Sequence, residues 1–344
     1  MTALHLIVPG PLDQRTGGYL YDKRIVEGLR DLGREVAVHA LAGRFPLVDR
    51  AARAAAAAAV EEMSGIPVID GLALPAFDDL AGRLPPWVAL VHHPLALETG
   101  LTAPEAAALD AIERRLVPLA ARVIVTSHQT GADLASYPLP PDRIGVVLPG
   151  TAPAPLARGS DGPGHTLLCV ASLTPRKGHL ILLEALASLI DLDWHLTCVG
   201  SPEHDPQTAA AIRQAVADRG LAGRVTLTGE LDEAGLAPHY DRADLFVLAS
   251  YHEGYGMALA EALARGLPIV STTAGAIPGT VPPSAGILVE PGDPAALAGA
   301  LRQVLTAPSL RDLLAAGAAK ERDRLPSWQS ATRAFAAELD RIEP

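Results

Sequence analysis

Cations, cysteine and long apolar runs are all scarce in this sequence, and each shortage removes a class of function. Lys and Arg number 28 against 39 Asp and Glu, for a net charge of −11, so no basic face for nucleic acid is expected, although a local basic patch fits that balance. The two cysteines, Cys169 and Cys198, lie in apolar strand-like runs, where buried thiols are expected in place of a disulfide or a metal ligand. No apolar run approaches the ~18 residues that span a bilayer. The opening Met1-Thr2-Ala3-Leu4-His5-Leu6 has neither a basic stretch nor a small-residue cleavage site, so a cytoplasmic location is expected. Nothing indicates contact with a membrane surface, and the oligomeric state is not legible. The turn after the first apolar run lacks the G-x-G-x-x-G fingerprint, which counts against a nicotinamide or flavin cofactor.

What remains is 49% hydrophobic and 19% charged residues over 344 positions, enough for two globular domains of ordinary size. Residues 3 to 8, 34 to 40, 66 to 72, 87 to 91, 122 to 126 and 144 to 148 read as short apolar strands with helical or loop segments between them. Residues 166 to 171, 194 to 199, 224 to 228, 243 to 249, 268 to 271 and 286 to 289 repeat the pattern. Alternating β and α at these spacings gives an α/β fold of two Rossmann-like, doubly wound parallel sheets, with ligands expected in a cleft that the halves face. Residues 1–150 form the first half, 151–164 a Pro- and Gly-rich linker, 165–325 the second half, and 326–344 a closing helix N-capped by Ser327.

The most informative segment is Glu253-Gly254-Tyr255-Gly256-Met257-Ala258-Leu259-Ala260-Glu261. It follows the strand-like run Ala243–Ser250 and leads into a helix that Gly266 and Pro268 stop. Gly254 and Gly256 permit close backbone approach, and the unpaired N–H groups of the first helical turn suit a diphosphate. Glu253 is expected in the loop and Glu261 about two turns into the helix, as acceptors for sugar hydroxyls bound beside the phosphates. Taken alone, this pair of glutamates also fits an ordinary capped amphipathic helix.

Other segments end strands in the same way. Arg176-Lys177-Gly178 sits between a strand and a helix, where Lys177 would neutralise a leaving diphosphate as a point charge. Gly200 and Gly229 end strands and either pack round a nucleoside base or are simply turns. In the first half, Gly17-Gly18 opens a helix and would bring backbone N–H groups against a phosphate or sugar. His92 and His93 end a strand as neighbours. That spacing does not suit a shared metal, which leaves a hydrogen-bonding or proton-transfer role, or a place in the core, for either one.

Taken together, Arg176-Lys177-Gly178, the Glu253 to Glu261 segment, the linker after Val146-Val147-Leu148-Pro149-Gly150 and the Gly17-Gly18 loop resemble the family-4 retaining glycosyltransferases of the GT-B fold. The similarity runs over essentially the whole chain and is strongest from residue 166 to about 295. It implies a metal-independent hexosyltransferase with no cofactor beyond a nucleotide-diphosphate sugar as co-substrate. The donor would be held mainly by the second half, through Arg176, Lys177, Gly200, Gly254, Tyr255, Gly256 and Glu261, together with Gly17 and Gly18 of the first half. The first half would hold a small-molecule, saccharide or lipid acceptor, and the closing helix would cross back to it. By the same resemblance Glu253 lies by the donor sugar, Glu261 holds the ribose, Lys177 stabilises the leaving group, and either His92 or His93 lies near the donor sugar. No metal is expected, and no Asp-x-Asp ligand pair is read. Ser172 stands where the family has arginine, and Gly279 where many members are acidic. A nucleotide-sugar epimerase, a phosphorylase of the same fold and a catalytically silent binding protein remain as alternatives.

Overall fold

The computed structural model describes residues 3–98 and 100–342. Two compact units divide them: one runs up to Gly150 and resumes at Pro326, and the other runs from Thr151 to Leu325.

The first unit is built on a six-stranded parallel sheet of β1 (Leu4–Pro9), β2 (Val36–Leu41), β3 (Ile66–Asp70), β4 (Val88–Val91), β5 (Arg122–Val125) and β6 (Ile144–Val146), in the order β2-β1-β3-β4-β5-β6. Strands such as Val88–Val91 are apolar and buried at every position, the pattern of a parallel sheet covered on both faces. The order reverses between β1 and β3, so the loops at their carboxyl ends diverge and leave a crevice, the usual ligand position in such sheets. The helix Trp328–Leu339 belongs to this unit. Its Glu338 is ion-paired with the buried Arg122 at the start of β5, and Ser327 caps it by accepting the Ser330 N–H.

The second unit has a parallel sheet of the same size but different strand order, with β7 (His165–Val170), β8 (Trp194–Val199), β9 (Val225–Gly229), β10 (Leu245–Leu248), β11 (Ile269–Thr272) and β12 (Gly286–Val289) in the order β12-β11-β10-β7-β8-β9. Here the order reverses between β7 and β10. All twelve strands fall where the apolar runs put them, to within a residue or two. Gly17 and Gly18 form the first turn of the helix Gly17–Asp31, at the helix start where the sequence put them. No helix among the described residues is long and apolar enough to cross a membrane.

Candidate active site

In the second unit the loops after β7 and β10, the two strands at the reversal, are locked together by backbone. Gly178 has φ 66°, and a Cβ there would overlap the Ala249 carbonyl oxygen, so only glycine lets the Arg176-Lys177 turn lie against the end of β10. The Tyr251 N–H donates to the Arg176 carbonyl at 2.7 Å and the Ala276 N–H to the Glu253 carbonyl at 2.8 Å. Arg176 donates to the His252 carbonyl at 3.1 Å. A third loop, at Gly275 with φ 57°, presses on the Glu253 backbone. Three loops thus hold Glu253 from three sides.

These constraints put the predicted charges in contact. Lys177 Nζ lies 2.6 Å from Glu253 Oε1, which also accepts from Ser250 Oγ at 2.6 Å, and Arg176 lies 3.9 Å from the other carboxylate oxygen. Glu253 is 6% exposed. Burial alone would raise its pKa, but the Lys177 and Arg176 charges prevail and hold it at about 2. Burial draws Lys177 below its ordinary value against the pull of Glu253. Lys177 and Arg176 thus bring two positive charges to the Glu253 carboxylate.

The helix Met257–Ala264 begins beside this cluster. Its N-cap is Gly256 with φ 89° and no side-chain cap, so the N–H groups of Met257 and Ala258 are open to a ligand, while that of Leu259 donates to the Gly256 carbonyl at 2.9 Å. Tyr255 is fixed from behind by Thr280, whose hydroxyl donates to its carbonyl at 2.7 Å. Glu261 is the fifth residue of the helix, just over one turn in and nearer its start than expected. Its carboxylate accepts from the Tyr240 hydroxyl at 2.9 Å, and burial raises its pKa. Tyr240 is itself stacked on Phe246 and capped by the Arg265 guanidinium. Gly200 is packed so that a Cβ would overlap the Ala171 carbonyl oxygen, and its N–H donates to the Gly229 carbonyl at 2.9 Å. Its requirement for glycine is thus the close approach of the loops after β7 and β8. Gly279 borders open space.

The first unit carries a second cluster at the ends of β3 and β4. His92 Nε2 lies 3.1 Å from Asp22 Oδ1 and 3.3 Å from Asp70 Oδ2. Asp22 comes from the helix Gly17–Asp31, and Asp70 ends β3 while capping the next turn through the Leu72 N–H. Gly18 stands against the His92 ring, with 3.5 Å to a Cβ placed there, and Tyr21 meets that ring edge-on. Burial would lower the His92 pKa, but the two carboxylates outweigh it and push it up to about 10. Burial in turn raises Asp22 to about 6 against the opposing pull of His92. His92 is therefore an imidazolium, a donor and not a base. His93 turns instead to Glu98, 3.0 Å away.

Sequence reasoning missed Asp22, Asp70, Ser250 and Tyr240, because each is tied to its partner only through the fold. It also missed an Asp-x-Asp pair. Asp191-Leu192-Asp193 has that spacing, but it precedes β8 at the amino end of the sheet, and Asp191 is held by Arg302 at 2.7 and 2.8 Å.

Comparison with known proteins agrees with this architecture. A family model described as glycosyl transferases group 1 matches residues 164–307, and one described as glycosyltransferase family 4 matches residues 69–154. The chain belongs to the family-4 glycosyltransferases. It is 30% identical over 221 residues to a D-inositol 3-phosphate glycosyltransferase of Corynebacterium efficiens, covering 59% of this chain and 52% of that protein. It is 36% identical over 155 residues to a GDP-mannose:cellobiosyl-diphosphopolyprenol alpha-mannosyltransferase of Xanthomonas campestris, covering 44% and 40%. The chain thus spans about half the length of the curated relatives it matches. Among solved structures it resembles sucrose-phosphate synthase from Thermosynechococcus elongatus, with a TM-score of 0.85, 22% identity and 99% of both chains covered. It also resembles Anabaena HepE in complex with UDP and glucose, with a TM-score of 0.76, 16% identity, and 99% and 100% covered. These likenesses establish the GT-B fold.

Proposed function

We propose that the chain transfers a sugar, with retention of anomeric configuration, from a nucleotide-diphosphate sugar to an acceptor hydroxyl. The observation that carries this reading is the Arg176–Lys177–Glu253 cluster beside the start of the helix Met257–Ala264, which has no side-chain cap. A diphosphate would take the N–H groups of that helix and the two cations, while Glu253 accepts a hydroxyl of the donor sugar. Glu261, held by Tyr240, would accept from the ribose. Arg176 supplies a positive charge that Ser172 does not.

In the transfer step the acceptor hydroxyl attacks the anomeric carbon on the face from which the phosphate oxygen departs, and that oxygen takes the proton. No protein base is needed, which suits an imidazolium at His92 that donates to a sugar hydroxyl. Catalysis is then positioning and charge stabilisation, with no metal ion in the chemistry. The first unit would hold the acceptor, and its negative cluster favours hydroxyls over phosphates. Among the relatives, the mannosyltransferase's name specifies GDP-mannose, and the HepE structure contains UDP. The base of this chain's donor is therefore the first quantity to measure.

Thermal unfolding with UDP, GDP and ADP in turn tests the reading. A ligand at 100 times its Kd adds about 2.7 kcal/mol to the folded state, and one nucleotide should raise Tm of the wild type but not of Glu261→Ala. Product analysis with the matching sugar nucleotide should then show a new glycosidic bond of unchanged anomeric configuration, undiminished by a chelator. No shift with any nucleotide, or an inverted product, overturns it.

A further inference from the structure

Behind the Arg176-Lys177 turn lies a group of side chains that the transfer reaction does not use. Cys169 on β7 and Cys198 on β8 are directly opposite each other in the parallel pair. His179, the first residue of the helix His179–Ala187, drops onto them, with Nε2 3.9 Å from Cys169 Sγ. The three ligand atoms lie within 4.8 Å of one another, and the residues are 1%, 3% and 3% exposed. The sequence shows two ordinary core thiols, and only the fold brings the imidazole to them.

We propose that Cys169, Cys198 and His179 form a buried site for a thiophilic divalent cation of the zinc class. Tetrahedral ligands at ordinary zinc distances stand about 3.8 Å apart for two sulfurs and about 3.6 Å apart for sulfur and nitrogen. The three atoms here need move little to reach those separations. A second observation concerns the imidazole. His179 Nδ1 is buried without a hydrogen-bond partner, and the contact Nε2 makes is a long one to sulfur. A cation on Nε2 would replace that long contact with a strong bond, while Nδ1, on the other side of the ring, stays as it is. Two thiolates, a neutral imidazole and a divalent cation sum to zero charge, so the filled site buries no net charge. The cation would pin the start of the helix His179–Ala187 to β7 and β8, directly behind Gly178 and Lys177. Three side chains leave the fourth tetrahedral position to a small ligand such as water, and the proposal does not depend on the transferase reading. Among the described residues the other such grouping, Asp22, Asp70 and His92, is the ion cluster already described.

Wild-type protein purified without chelators should contain close to one zinc per chain. After unfolding and refolding with Co²⁺ it should show a thiolate-to-cobalt charge-transfer band in the near ultraviolet, which added Zn²⁺ abolishes. Zinc should also raise Tm of the chelated protein, and Cys169→Ser/Cys198→Ser should lose both the band and that rise. The cobalt spectrum of the wild type decides the matter even if the double variant folds poorly. Folded wild type with less than about a tenth of an equivalent of zinc and no charge-transfer band overturns the proposal. So does stoichiometric metal retained by the double variant, which would place it on surface groups.

Discussion

The two units carry clusters of opposite sign at corresponding places in their sheets. In the second unit, loops at the carboxyl ends of β7 and β10 bring two cations onto one carboxylate. In the first, β3, β4 and the helix after β1 bring two carboxylates onto one imidazolium. Two six-stranded parallel sheets of different strand order thus present opposite charge near their order reversals. The contrast lies in a few side chains at the carboxyl ends of the strands and on the helix after β1, so the chemistry is set by those residues and not by the sheet itself.

The most forceful way to break this contrast is to remove the cation. Lys177→Ala should lower turnover by about 10²–10³, the loss usual for one preorganised charge-stabilising donor, in steady-state assays of sugar transfer. It should also destabilise the protein, because the buried Glu253 loses its closest cation and keeps Arg176 at 3.9 Å and the Ser250 hydroxyl. Glu253→Gln in the same chain should restore Tm without restoring turnover. Restored turnover would mean that Lys177 serves only to neutralise Glu253.

Glu261→Ala comes next, and should abolish most of the nucleotide-induced rise in Tm, about 2.7 kcal/mol at 100 times Kd. Tyr240→Phe sharpens the same point more gently. It keeps the ring stacked on Phe246 and removes only the hydroxyl that holds Glu261, so nucleotide affinity should weaken by about 0.5–1.5 kcal/mol in calorimetric titration. An unchanged Kd would show that Glu261 needs no positioning.

The pH dependence of stability sharpens the contrast from another side. The folded protein holds the His92 proton up to about 10, against an ordinary value of 6.5. The stability this contributes is complete below pH 6.5 and is lost as pH rises through about 10. Glu253, held at about 2 against an ordinary 4.5, contributes stability that is complete above pH 4.5 and is lost as pH falls toward 2. Tm measured across pH should therefore show a shallower alkaline decline in His92→Gln and a shallower acid decline in Glu253→Gln. An exchange of those two outcomes would reverse the charge assignment of the clusters.

Much of this was legible in the chain. Continuous apolar runs such as Val88–Val91 and Leu245–Leu248 mark strands of a covered parallel sheet, because both faces of such a strand must be apolar. Gly256 ahead of Met257 marks the helix start, and Lys177 and Glu253 stand out as charges at strand ends. The choice between His92 and His93 was not legible, since neighbours on an irregular segment give no period from which to read direction. Asp22 and Asp70 lie 70 and 22 residues before His92, and Tyr240 lies 21 before Glu261, beyond any local pattern.

The sequence by itself determined the strands, the two sheets and which loops carry charge, because hydrophobic period and glycine conformation act over a few residues. Only the tertiary structure decided which charges meet: Lys177 with Glu253, His92 with two aspartates, His179 with two cysteines. Those pairings depend on strand order and loop approach, which bring together residues that have no neighbourhood along the chain.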